Sequence, residues 1–196
     1  MANFLGIKKY MTSFLKKSLA HDLYYHGCHH TMDVYKYVVE IAKAEKVGRD
    51  DLSLLKVAVL FHDAGFVETY TGHEDLSCVL AKKILPQYGY IKSQIERICG
   101  MIQATKIPQK PSNLFEQIIA DADLLYLGTS RFKEIGDTLF EEMRIYSGLY
   151  NRQEWNKIQK KFLENHQYHT NYCHNTYEPT KQKNLKKIVA LIEKGN

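Results

Sequence analysis

Proline, glycine and tryptophan are scarce: 196 residues carry 4 Pro, 11 Gly and 1 Trp. That scarcity excludes collagen-like, linker-like and low-complexity chains, and a content of 44% hydrophobic and 25% charged residues is that of a domain with its own core. Cysteine pairs at C-x-x-C spacing are absent. Cys28, Cys78, Cys99 and Cys173 stand far apart, which excludes a disulfide scaffold and a cysteine-built zinc site and suits reduced thiols in a cytoplasmic protein. No apolar run reaches the ~18 residues of a membrane span. Lys8, Lys9, Lys16 and Lys17 interrupt the stretch where a secretion signal needs an unbroken apolar region. Charge of one sign is not in great excess either, with Lys+Arg 27 against Asp+Glu 22 and a net charge of +5. Without a basic helix or a recognisable binding motif, no nucleic-acid partner is expected, while a small anionic ligand is compatible.

Alternating strand patterns are missing too, and apolar residues recur instead at helical spacing. Phe4, Ile7, Met11, Phe14 and Leu15 share one face with lysines opposite, the pattern of a helix laid on a core. Val34, Tyr37, Val38 and Ile41 mark a helix over 31–46 that Gly48 stops, and Asp50 and Asp51 lead into a run that ends at Gly65. Further helices are expected over 73–85, closed by Pro86, from Ser93 to the loop of Pro108 and Pro111, and over 113–127, 130–147, 151–173 and 181–193. The expectation is one all-α bundle of roughly eight or nine helices over residues 1–196.

What the chain does have in quantity is histidine, nine residues. His26 and His30 lie one helical turn apart, and His30 continues into Val34 and Val38 at the same spacing, so it faces inward. One buried imidazole is ordinarily satisfied by a carbonyl. His62 and Asp63, however, close the apolar run VAVLF, where two donors about 100° apart can both reach an ion at the helix end. Asp121 and Asp123 sit within the apolar stretch IIADADLLYLG with no Lys or Arg beside them, and a buried carboxylate without a cationic partner calls for one. Three segments therefore bring inward His and Asp, a ligand set for Mn²⁺, Fe²⁺, Zn²⁺, Mg²⁺, Co²⁺ or Ni²⁺. Too few further ligands follow for a second fully protein-held ion. His166, His169 and His174 fall in a tyrosine-rich stretch without a clean helical face, and are expected to pack or lie on the surface; the aromatics around them offer faces for a base to stack on.

The words YHGCHHTMDV, AVLFHDAGF, HEDLS and DADLLYLG stand in this order between about residues 22 and 130. Together they resemble the HD-domain superfamily of metal-dependent phosphohydrolases, whose signature is H…HD…D on an all-α core. The resemblance implies His30 as first ligand, His62 and Asp63 as the central pair and Asp123 as the last, because the family's final word is Ala-Asp followed by apolar residues. Asp121, which also follows an alanine, is the second choice. Tyr25-His26 is similar to the start of the metal-binding word of cyclic nucleotide phosphodiesterases, with Gly27 in place of its Asn, and this implies His26 as general acid. His73-Glu74 resembles the HE word of small bacterial HD hydrolases, implying proton delivery by His73 and orientation of a water or a histidine by Glu74. Where several HD subfamilies carry a lysine soon after the HD pair, Phe66 stands in the neighbourhood.

The activity so implied is hydrolysis of a phosphate ester or anhydride, with a nucleotide as the leading substrate class, by a water that one divalent ion activates and from which Asp63 takes a proton. Lys106 and Lys110 on the loop ATKIPQKP, and Arg131 and Lys133 after DADLLYLG, are the candidate phosphate clamp. The alternative is a catalytically inactive metal- and nucleotide-binding regulatory module. The sequence leaves a homo-oligomer open.

Overall fold

The computed structural model describes residues 2–149 and 151–195, and every regular element among them is helical. Helix α1 (Phe4–Ser18) begins where the Asn3 side chain accepts the Gly6 N–H, and buries Ile7, Met11 and Leu15 at a four-residue spacing. Each such side chain, fully withdrawn from water, stabilises the fold by roughly 1.5–3 kcal/mol. Helix α2 (Cys28–Ala44) buries Val34, Val38 and Ile41 and, one turn earlier, His30. Helix α3 (Arg49–Phe61) is apolar around its whole circumference over VAVLF, as befits an element running through the middle of the core. Around it pack α1, α2, α4 (His73–Ile84), α5 (Lys92–Gln103) and α6 (Leu114–Asp123).

A short 3₁₀ turn at Leu125–Gly128 leads to α7 (Phe132–Tyr146), α8 (Arg152–Asn165) and α9 (Asn171–Glu193). Leu124, Tyr126 and Leu127 join Phe132, Leu163 and Ile188 in a second, smaller core. The end of α6 is thus the seam between the six-helix core and the C-terminal helices, and the His and Asp residues of interest gather there.

Three boundaries depart from the periodicity. The run expected to continue to Gly65 ends as α-helix at Phe61 and resumes as a 3₁₀ turn, Ala64–Val67, which turns His62 and Asp63 out of the helix. The stretch expected as one helix over 151–173 breaks after Asn165: Asp121 accepts the N–H groups of His169 and Thr170, holding the chain out of helix, and Thr170 then caps α9 through the Cys173 N–H. Helix α9 also runs through Pro179 instead of beginning after it. Docking of Lys181, Asn184 and Ile188, with the Asn184 amide donating to the carbonyls of Leu127 and Thr129, outweighs the lost backbone donor.

Candidate metal centre and active site

Helix ends build the centre. His30 stands in the first turn of α2, His62 is the C-cap of α3, Asp63 follows it, and Asp123 is the last residue of α6. His30 Nε2 lies 3.0 Å from Asp123 Oδ1 and 3.5 Å from Asp63 Oδ2, and His62 Nε2 lies 3.2 Å from Asp63 Oδ2 and 3.5 Å from Asp123 Oδ1. The His62 Nδ1–H donates to the Val59 carbonyl at 2.8 Å, which fixes the tautomer and leaves Nε2 facing the carboxylates. Yet His62 Nε2 and Asp63 Oδ2, both buried, make no hydrogen bond. Buried polar atoms of native proteins are ordinarily satisfied, so this orphaned pair, beside two further donors, fits the coordination of a cation. One donor atom each from His30, His62 and Asp123 lie within 4.8 Å of one another, a cluster able to hold a metal ion.

Electrostatics argue the same way. Burial disfavours every charged form here, and mutual attraction outweighs it: Asp63 and Asp123 hold His62 well above the ordinary imidazole range, His62 holds Asp63 far below the carboxylate range, and His30 and His62 bring Asp123 down to about 2. Two carboxylates in this pocket demand positive charge, from imidazolium or from an ion. Asp121 is committed elsewhere, its oxygens accepting the N–H groups of His169 and Thr170 at 2.8 Å and the Thr170 hydroxyl at 2.7 Å.

Two more histidines face the centre. The His26 ring donates from Nδ1 to Glu142, a fully buried acid of α7 whose other oxygen accepts the backbone N–H of Tyr25 at 2.8 Å and of His26 at 3.0 Å. Burial lowers the His26 pKa, but the bond to Glu142 outweighs it and leaves the imidazole raised above its ordinary value. Tyr70 adds its hydroxyl to Glu142 at 3.1 Å. His73 Nε2 lies 3.5 Å from Asp63 Oδ1 and 3.6 Å from Glu74 Oε1. Phe66, in the neighbourhood of the absent lysine, packs its ring on both imidazoles, 4.2 Å from His26 and 3.9 Å from His73 between centroids. His73 can come so close because residue 65 is glycine: a Cβ there would meet the His73 carbonyl oxygen at 2.0 Å. Ser77 ties the same turn together, accepting the Gly65 N–H and donating to the His62 carbonyl, both at 2.8 Å.

A cavity of about 280 Å³ opens beside these groups, lined by His26, Asp63, His73, Glu74 and Asp123 at one end. None of the four proposed clamp residues lines it, and Lys133 is paired with Asp137. Lys106 is exposed and paired with Asp75 at 3.4 Å, and Lys110 is exposed on the same loop. Arg131 is held by Glu134 at 3.0 Å and Asp33 at 3.3 Å, and edges a separate cavity of about 110 Å³ on the His30 side. Asp75 and Asp33, the partners of Lys106 and Arg131, lie far from them along the chain. Glu142 lies outside every motif of the sequence. The one sequence signal for Glu142 is an acid three residues beyond Leu139, on the face of α7 that carries Ile135 and Leu139.

An all-helical fold with a buried His-His-Asp cluster able to hold a metal is the class that these observations define. The chain belongs to the HD domain family, whose model matches residues 28–127. No curated protein matches it. Among solved structures, a protein described as a predicted HD superfamily hydrolase from an uncultured Thermotogales bacterium has the same fold, with a TM-score of 0.64 and 18% sequence identity over 96% of this chain and 92% of that one.

Proposed function

We propose that this chain is a metal-dependent phosphohydrolase that cleaves a phosphate ester, with His30, His62, Asp63 and Asp123 as the ligands of one divalent ion. The observation that carries this reading is the orphaned pair His62 Nε2 and Asp63 Oδ2 beside His30 and Asp123, at the end of a cavity that His26 also lines. When bound, the ion supplies Lewis-acid chemistry, lowering the pKa of water from 15.7 towards ~7–9 and polarising a phosphoryl oxygen.

The protein groups do the rest. Water oxygen bonds to phosphorus as the bond from phosphorus to the leaving oxygen breaks, and the products are an alcohol and inorganic phosphate. His26, with Nδ1–H fixed on Glu142 and its pKa raised, gives its Nε2 proton to the leaving oxygen. Asp63 accepts the proton lost by water, with His73 Nε2 at 3.5 Å from its second oxygen to hold that carboxylate in place. Glu74, buried beside His73, orients the His73 ring. Phe66 keeps water from the space between the two imidazoles.

The test is hydrolysis of a panel of phosphate esters by the chelated protein with Mn²⁺, Co²⁺ or Mg²⁺ restored, alongside Asp63→Ala. Activity that returns with metal and is lost in the variant supports the reading. An inactive wild type, or an Asp63→Ala variant that keeps the activity, favours a binding module and overturns it.

A further inference from the structure

We infer that the substrate is a phosphate monoester of an apolar alcohol, alkyl or aryl, whose carbon body occupies the cavity beyond the metal centre; the inference rests on the hydrolase reading above. The cavity changes character within a few ångströms. At one end stand Asp63, Asp123 and His26, and beyond them the walls are Leu124 and Leu127 of the turn after α6, Leu139 and Met143 of α7, and Ile158 and Phe162 of α8. Among the described residues no Lys or Arg lines this cavity.

That absence bears on what the leaving group can be. A di- or triphosphate brings several negative charges, which sites for such groups meet with several Lys, Arg or metal charges. Here His26 is the one imidazole held above its ordinary pKa outside the metal cluster. A sugar brings hydroxyls that lose water on entering and need partners in return. Away from the histidines and carboxylates the polar wall is small: Thr105 already donates its hydroxyl to the Ile102 carbonyl at 2.8 Å, leaving the Tyr25 and Tyr126 hydroxyls, the Trp155 indole N–H and the Gln159 amide among the leucine, isoleucine, methionine and phenylalanine side chains. A hydrocarbon asks for no partner.

Size agrees. A hydrocarbon-lined space of about 150 Å³ takes a benzene ring, and the volume here is about 280 Å³. Ile107, Leu124, Ile158 and Phe162 of its wall also line a neighbouring cavity of about 570 Å³ between the 107–109 loop and α8, with Lys161, Asn165 and Gln167 at its polar side. An apolar group in the first cavity therefore lies along α8 against Ile158, Phe162 and Leu163 without meeting a Lys or Arg. Helix α8 and the turn after α6 become the specificity elements, and the phosphate end is left to the helix-end ligands.

The experiment uses the full chain with Mn²⁺, assayed for kcat/KM on methyl, propyl, hexyl and phenyl phosphate and on adenosine monophosphate, with calorimetric binding of the matching alkylphosphonates as a readout free of turnover. The result expected is a rise of about fourfold per methylene from methyl to propyl in both arms, with the hexyl and phenyl esters at least tenfold above the nucleotide. Ile158→Glu, at a wall position 41% exposed and so tolerant of change, is expected to halve the increase per methylene. A flat series, a nucleotide turned over faster than the hexyl ester, or an Ile158→Glu slope equal to that of wild type overturns this inference while hydrolysis itself still supports the hydrolase reading. No turnover of any ester overturns both.

Discussion

Glu142 grips His26 from two sides, one carboxylate oxygen accepting the backbone N–H at 3.0 Å and the other the ring Nδ1–H, although the two residues are 116 positions apart. The carboxylate settles which nitrogen carries the proton and which faces the cavity, and it stabilises the cationic ring. Tyr70 donates to the same acid, so the grip is shared by three segments of the chain.

Glu142→Gln should therefore change the pH profile as well as the rate. His26 acts as an acid while protonated, so activity falls as pH rises through its pKa. The anionic Glu142 raises that pKa, and a neutral amide removes the effect, so the alkaline limb of kcat is predicted to move to lower pH. A limb that stays in place contradicts the role of Glu142 as the residue that positions and charges His26.

Loss of His26 should depend on the leaving group. With an alkyl phosphate, whose alkoxide needs a proton, His26→Ala is predicted to lower kcat about 10²-fold or more. With 4-nitrophenyl phosphate, whose phenolate leaves unaided, the loss should be within about tenfold. Equal losses for the two esters, measured at one pH, would show that His26 does not protonate the leaving oxygen.

The two aspartates of α6 should separate by assay. Asp123→Ala is predicted to lose bound metal, measured by mass spectrometry, with a small effect on folding of the metal-free chain. Asp121→Ala is predicted to keep metal but to lose about 2–4 kcal/mol of stability in urea, because it strands the buried N–H and hydroxyl donors of His169 and Thr170. Metal lost from Asp121→Ala and retained by Asp123→Ala reverses the assignment.

Gly65→Ala probes the close approach of α4 to the turn after the HD pair. The added carbon would meet the His73 carbonyl at 2.0 Å, so the chain must shift there, at a cost of roughly 1–3 kcal/mol in unfolding free energy. Activity should fall more steeply than stability, since the shift displaces His73 from Asp63. Wild-type activity and stability in this variant would mean that the spacing of the turn and α4 is of no consequence.

The helical fold and the cluster at its seam were largely legible in the sequence, for a local reason. His30 shares a stripe with Val34 and Val38, His62 and Asp63 end an apolar run, and Asp123 ends another, so each signal lies within a turn or two of its residue. Glu142 was illegible because its partners are far along the chain, and the pairing of Lys106 with Asp75 and of Arg131 with Asp33 was illegible because those acids are brought close only by folding. The break before α9 escaped for the same reason: it is held by Asp121, 48 residues from His169. Helix α9 begins at Asn171, ahead of the expected 181, because the docking of Asn184 and Ile188 overrides the local propensity around Pro179.

The most direct test of the account is calorimetric unfolding combined with turnover of an alkyl phosphate, on wild type and His62→Ala, after chelation and after Mn²⁺ is restored. A ligand present at about 100 times its dissociation constant stabilises the folded state by about 2.7 kcal/mol. In the wild type, Mn²⁺ is predicted to raise Tm and restore turnover together, and in His62→Ala to do neither. Turnover that survives chelation, or that returns with Mn²⁺ in His62→Ala, would contradict a metal centre at the meeting point of α2, α3 and α6.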